Sequence, residues 1–228
     1  MKKNFVILIC ILYAACVIGA DEISEQENQL EKEPDNIDLL EKLGCYYHDL
    51  AGNNILKGDG EIEKAAKKSE KYLVHLLELK PTHSIGMVYL GSLHTIKART
   101  AFLPWTKLKY MNKGFALMDK AVWLDPENCH VRLIRGINSV NVPKSFHRAD
   151  IALEDFGYIA EHANPDSMTT RFLLPYFYNY GLALKKSGNV DQAKNFWYKA
   201  IETDSASVYA KQAGNKLNQL AGEENPDQ

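Results

Sequence analysis

Four glycines stand at nearly equal intervals along this chain. Gly44, Gly91, Gly136 and Gly181 are separated by 47, 45 and 45 residues, and the first three each follow a proline, Pro34, Pro81 and Pro126, by ten residues. Proline is tolerated in the first turn of a helix, where its missing N–H would have no intrahelical partner. Each proline therefore opens a helix, and each glycine lies further along that helix as a point where another can approach closely. A period this regular marks a repeated supersecondary unit, and one helical hairpin cannot bury both of its faces alone. The chain is expected to stack copies of such a unit.

The fourth copy carries the most detail. In YFYNYGLALKKSGNVDQAKNFWYKAIETDS, residues 176–205, Phe177, Tyr180 and Leu184 share one helical face with Gly181. Gly188 supplies a left-handed stop, and Asn189 with Gln192 three residues later reads as a capping box for a second helix. That helix sets Ala193, Phe196, Trp197, Ala200 and Ile201 on one stripe, alternating small residues with rings. The stretch resembles a tetratricopeptide repeat: an aromatic pair before a glycine, a second glycine at the turn, then Ala193, Trp197 and Ala200 at the family's spacing. The position of the family's closing proline is held by Ser205. The resemblance implies repeat-packing roles for Gly44, Gly91, Gly136, Gly181, Ala193, Trp197 and Ala200, and use as an interaction scaffold.

The expected fold is all-α, a right-handed α-solenoid of four helical hairpins and a capping helix. Its repeats are read at about 34–80, 81–125, 126–164 and 167–205, with the cap at 206–221, one domain over 34–221 and a disordered tail at 222–228. These units exceed the usual 34 residues by about ten, and the excess is placed between the glycine and the second helix, as longer helices and turns. HEAT-type repeats share this length and stay open as an alternative. The buried stripes are read as Leu39, Leu43, Tyr46, Tyr47, Tyr72, Leu76 and Leu79 in the first unit. In the second they include Leu108, Met111, Phe115, Met118 and Val122.

The first 20 residues, MKKNFVILICILYAACVIGA, have two lysines, an apolar run and a small-residue end, the pattern of a bacterial secretory signal. Cleavage after Ala20 leaves 25 basic against 29 acidic residues, a net charge of −4 that does not point to nucleic acid. Ala14-Ala15-Cys16 supports a rival reading with Cys16 lipidated, the one route by which a membrane partner is expected. Residues 21–33, DEISEQENQLEKE, are acidic and poor in apolar anchors, and read as a linker or a frayed leading helix. Export to the periplasm or an equivalent compartment follows from the leader.

Catalytic signatures are missing: no Gly-rich phosphate loop, no H-E-x-x-H, no G-x-S-x-G and no C-x-x-C-H. An enzyme is not expected, nor is any cofactor. Cys45 and His48 are three apart on a helix, a weak metal pair with no companion ligands. Cys45 and Cys129 fall in different repeats and read as buried small residues.

Charge gathers in one place. From Lys97 to Arg148 there are ten basic residues against Asp119, Asp125 and Glu127, a local net of +7. Within it Phe102, Trp105 and Tyr110 alternate with lysines. One reading packs these rings inside a hairpin with the lysines solvated behind. The sharper one is a docking surface where Phe102, Trp105 and Tyr110 anchor a partner while Lys107, Lys109, Arg132 and Arg135 meet its carboxylates. Tyr176 and Tyr178 are the second candidate contact, suited to a dimer or higher self-assembly. The function expected is non-catalytic protein binding, as an assembly factor or structural subunit of an exported complex. The alternative is a lipid-anchored accessory ligand-binding protein of a transport system, with a pocket lined by Trp105, Tyr110 and Arg135.

Overall fold

The computed structural model describes residues 21–52 and 58–224. The leader with Cys16, residues 53–57 and the tail beyond 224 lie outside the described residues. Among those described, every regular element is helical and no strand occurs. The chain divides into two compact units, residues up to 111 and residues from 112.

The first unit holds α1 (residues 21–32), α2 (Ile37–Gly52), α3 (Asp59–Leu79), α4 (Ser84–Thr100) and the start of α5 (Pro104–Leu124). α2 forms because Leu39, Leu40, Leu43 and Tyr47 recur at helical spacing and are all buried. They meet Tyr72, Leu73 and Leu76 of α3, and α4 packs on both helices. Full burial of side chains this size contributes roughly 1.5–3 kcal/mol each. A Cβ on Gly44 would lie 2.6 Å from Leu73 Cδ2, so the glycine is the point of closest approach between the two helices. Beside it, Ser69 donates to the Gly44 carbonyl at 2.8 Å. Leu79, placed on the buried stripe from its spacing, is instead 41% exposed in the last turn of α3.

Of the two readings of residues 21–33, linker or leading helix, the second holds for residues 21–32. α1 buries Leu30 and anchors through Glu27, whose carboxylate accepts from Tyr47 at 3.0 Å, Tyr72 at 2.7 Å and Lys68 at 2.8 Å. Burial works to raise the Glu27 carboxyl, but the bonds from Lys68, Tyr72 and Tyr47 outweigh it and hold it below its ordinary value. The segment lacks an apolar stripe, so periodicity could not register a helix held largely by hydrogen bonds.

The second unit continues α5 and adds α6 (Cys129–Val140), α7 (Ala149–His162), α8 (Thr170–Lys186), α9 (Val190–Thr203) and α10 (Val208–Glu224). Short 3-10 turns at Lys144–Phe146 and Pro165–Ser167 flank α7. Asn128 caps α6 by accepting from the amides of His130 and Val131. α6 pairs with α7 and α8 with α9; α8 also packs on α6 and α7, and α10 closes over α8 and α9 with Ala210, Ala213 and Leu220 buried. The glycine device recurs. A Cβ on Gly136 would meet Phe156 at 2.9 Å, and one on Gly181 would meet Trp197 Cδ1 at 2.6 Å. Trp197 is fully buried between Ala193 and Ala200, and its indole N–H donates to the Tyr178 carbonyl at 3.2 Å.

Two local expectations change. Gly188 has the left-handed φ of 90° that a turn requires, but Asn189 makes no capping bond and its amide reaches Ser187 instead. Gly91 is buried in α4, and in the same helix a Cβ on Gly86 would lie 2.7 Å from Leu76 Cδ2. The extra length of the second repeat is helix rather than turn, since only residues 101–103 separate α4 from α5.

Candidate functional site

The basic cluster read from the sequence separates into two kinds of residue. Arg132 and Arg135 on α6 and Arg148 just before α7 are each 8% exposed. Asp155, fully buried on α7, accepts from Arg135 Nε at 2.8 Å, from Arg135 Nη2 at 2.7 Å and from Arg132 Nη1 at 3.1 Å. Asp119 on α5 takes both ends of Arg148 at 2.7 Å and Arg135 Nη1 at 3.4 Å. The Arg132 guanidinium also lies over Tyr158 at 4.1 Å, and that of Arg148 over Phe115 at 4.6 Å. This is an internal ion-pair chain tying α5, α6 and α7 together.

Arg132 and Arg135 therefore do not await a partner's carboxylates, because carboxylates of their own unit already occupy them. Burial opposes the charge on Arg135, but its bonds to Asp155, with Asp119 and Glu154 nearby, outweigh that and hold the guanidinium above its ordinary value. Burial pushes the Asp155 carboxyl upward against the pull of Arg135 and Arg132. Three bonds from two guanidiniums to one carboxylate decide for the ionised form. Removing one member of such a buried pair costs about 3–5 kcal/mol.

The aromatic run of α8 is also internal. Tyr176 is 4% exposed and donates to the Phe156 carbonyl at 3.3 Å. Tyr180 lies 4.4 Å from Phe196, and half-buried Tyr178 lies 5.8 Å from Tyr209. Tyr176 is thus a core residue rather than a dimer contact, and Tyr178 is half-buried beside Tyr209 of α10.

Other members of the expected docking set stand outside. Phe102 is 93% exposed and Trp105 68%, while Lys107 and Lys109 are exposed beside them. Tyr110 is half-buried, with the His94 ring stacked on it at 5.8 Å and Lys97 over it at 5.7 Å. Leu108, read as a buried stripe residue, is 51% exposed and joins Leu103 in this outer patch. The geometry that presents them is local. α4 ends at Thr100, Ala101 is extended, and Pro104 starts α5 as a proline in the first helical turn.

His48, the suggested metal partner of Cys45, has Nε2 on Ser92 Oγ at 2.8 Å and Nδ1 on Asp49 at 3.0 Å. Among the described residues, no group of three or more His, Cys, Asp or Glu could hold one metal ion. Cys129 is a free thiol, and burial pushes it up, away from the reactive thiolate. Among the described residues of the second unit, one cavity of about 80 Å³ lies among Met168, Phe172, Phe177 and Phe196, and an open groove of about 690 Å³ runs past Tyr180, Gln192, Tyr198 and Glu202. Neither of these is lined by Trp105, Tyr110 or Arg135.

Asp155 and Asp119 were missed as partners of the arginines. The available signal was Arg135 in the position before the repeat glycine, with Asp155 interrupting the apolar stripe of ALEDFGYIA. Two opposite charges on facing buried stripes call for each other.

No family model and no curated protein sequence matches the chain. Among solved structures, the crystal structure of a thermophilic TPR protein from Thermus thermophilus is similar, with a TM-score of 0.63, over 95% of this chain and 99% of that one. The two sequences are 16% identical, so the likeness concerns the fold. The chain has the tetratricopeptide-repeat fold: all-α helical hairpins of the α-solenoid class.

Proposed function

We propose that this protein is a non-catalytic interaction scaffold working outside the cytoplasm, as an assembly factor or structural subunit of a larger complex. The observation that carries the reading is the tetratricopeptide-repeat fold, in which stacked hairpins build extended binding surfaces. The interior charges support it. Arg132, Arg135, Arg148, Asp119 and Asp155 satisfy one another, and such a closed set holds helices rather than poising an acid, base or nucleophile. The secretory pattern of residues 1–20 supports the compartment.

The test is affinity purification after cross-linking in the native host, with quantitation of attached proteins and the mass of the mature N-terminus. One or a few proteins in near-stoichiometric amounts, and a chain beginning at Asp21, are expected. No stoichiometric companion would remove the scaffold reading, and an unprocessed chain retained in the cytoplasm would remove the compartment.

A further inference from the structure

We propose that the end of the first unit formed by residues 99–109 seats on an anionic lipid surface. This goes beyond the scaffold reading and stands without it. It also needs neither the leader nor a lipid on Cys16.

From Pro81 to Met118 the chain contains no aspartate or glutamate, but it contains Lys97, Arg99, Lys107, Lys109 and Lys113. Lys97 is taken by Glu70 at 2.6 Å. Among the described residues, Arg99, Lys107 and Lys109 are exposed and form no ion pair. Between them the chain turns through residues 101–103 and displays Phe102, Leu103, Trp105 and Leu108, exposed by 93%, 37%, 68% and 51%. Apolar side chains and free cations thus occupy one compact tip.

Stability of the fold does not account for this arrangement. Exposed rings contribute nothing to the core. α5 has no acidic residue in its first turn, and Lys107 adds positive charge near the positive end of the helix dipole, where an acid is favoured. A local rule broken without structural gain points to an external use.

The shape decides the occupant. The rings project from a turn and a helix start, with Arg99, Lys107 and Lys109 exposed around them, an arrangement of protruding apolar groups rimmed by cations. A bilayer interface accepts Trp and Phe at headgroup depth, and its anionic headgroups meet the arginine and lysines around them. No helix among the described residues is long and apolar enough to cross a membrane, so the tip would rest on the surface without spanning it.

The experiment follows Trp105 itself in the full chain with Trp123→Phe, since Trp123 is exposed and Trp197 is fully buried. Vesicles of phosphatidylglycerol and phosphatidylcholine with brominated chains should blue-shift and quench Trp105. About 1 M salt should reverse the effect, as screening shortens to about 3 Å. The pair K107E/K109E should weaken it at least about tenfold, with an unchanged thermal melt. Phe102→Ser should weaken it too. An unchanged Trp105 emission on anionic vesicles at low salt overturns the proposal, even if the protein sediments with them through another segment. Equal quenching on pure phosphatidylcholine, indifferent to the charge reversal, also overturns it. So does shielding of Trp105 by a host protein with vesicles inert, which would assign the tip to a protein partner.

Discussion

The same physical device recurs where a glycine on one helix faces a large side chain on its hairpin partner. Gly44 faces Leu73, Gly136 faces Phe156 and Gly181 faces Trp197. Substituting Gly181 by Ala places a methyl within 2.6 Å of the buried indole, and overpacking of this kind costs about 1–3 kcal/mol. In open helix the same change has the opposite sign, because Ala outranks Gly by about 1 kcal/mol. Gly214 in α10 has no atom within 4 Å of its would-be Cβ, so Gly214→Ala should stabilise. Urea denaturation of the two variants therefore moves the midpoint in opposite directions. Equal shifts would show that Gly181 is not a packing site.

Among the elements, α1 depends most on hydrogen bonds, and its attachment should follow pH. The folded-state pKa of Glu27 is depressed, so its contribution is complete above the ordinary glutamate value of about 4.3 and is lost as pH falls through the folded value. Glu27→Gln removes the charge that Lys68, Tyr47 and Tyr72 share, at a cost of about 1.5 kcal/mol. Amide exchange across residues 21–32 should accelerate in this variant at neutral pH and should lose its own acid dependence. Unaltered exchange there would mean that Leu30 alone holds the helix.

For the molecule as a whole, stacking makes the last helix a seal rather than an ornament. α10 covers α8 and α9 with Ala210, Ala213 and Leu220. Ending the chain at Ser205 should destabilise the second unit by at least about 2 kcal/mol, read as faster amide exchange in α8 and α9. Full protection retained in those two helices would contradict the sealing role.

Much of this was written in local order along the chain. The glycine period, the stripe Phe115–Met118–Val122 and the Ala193–Trp197–Ala200 stripe determined the helical class and the helices that carry them, because periodicity acts over a few residues. Pro34, Pro81 and Pro126 lie in the turns just before helices, not inside their first turns. The docking set was only half legible. A sequence places Arg135 and Lys109 in the same basic cluster, but burial depends on which helix lies opposite, a long-range fact. Tertiary packing put Asp155 against Arg132 and Arg135, turned Tyr176 inward and left Phe102 and Trp105 outside. It also made a helix of the acidic leading segment, by bringing two tyrosines and a lysine from α2 and α3 to one carboxylate.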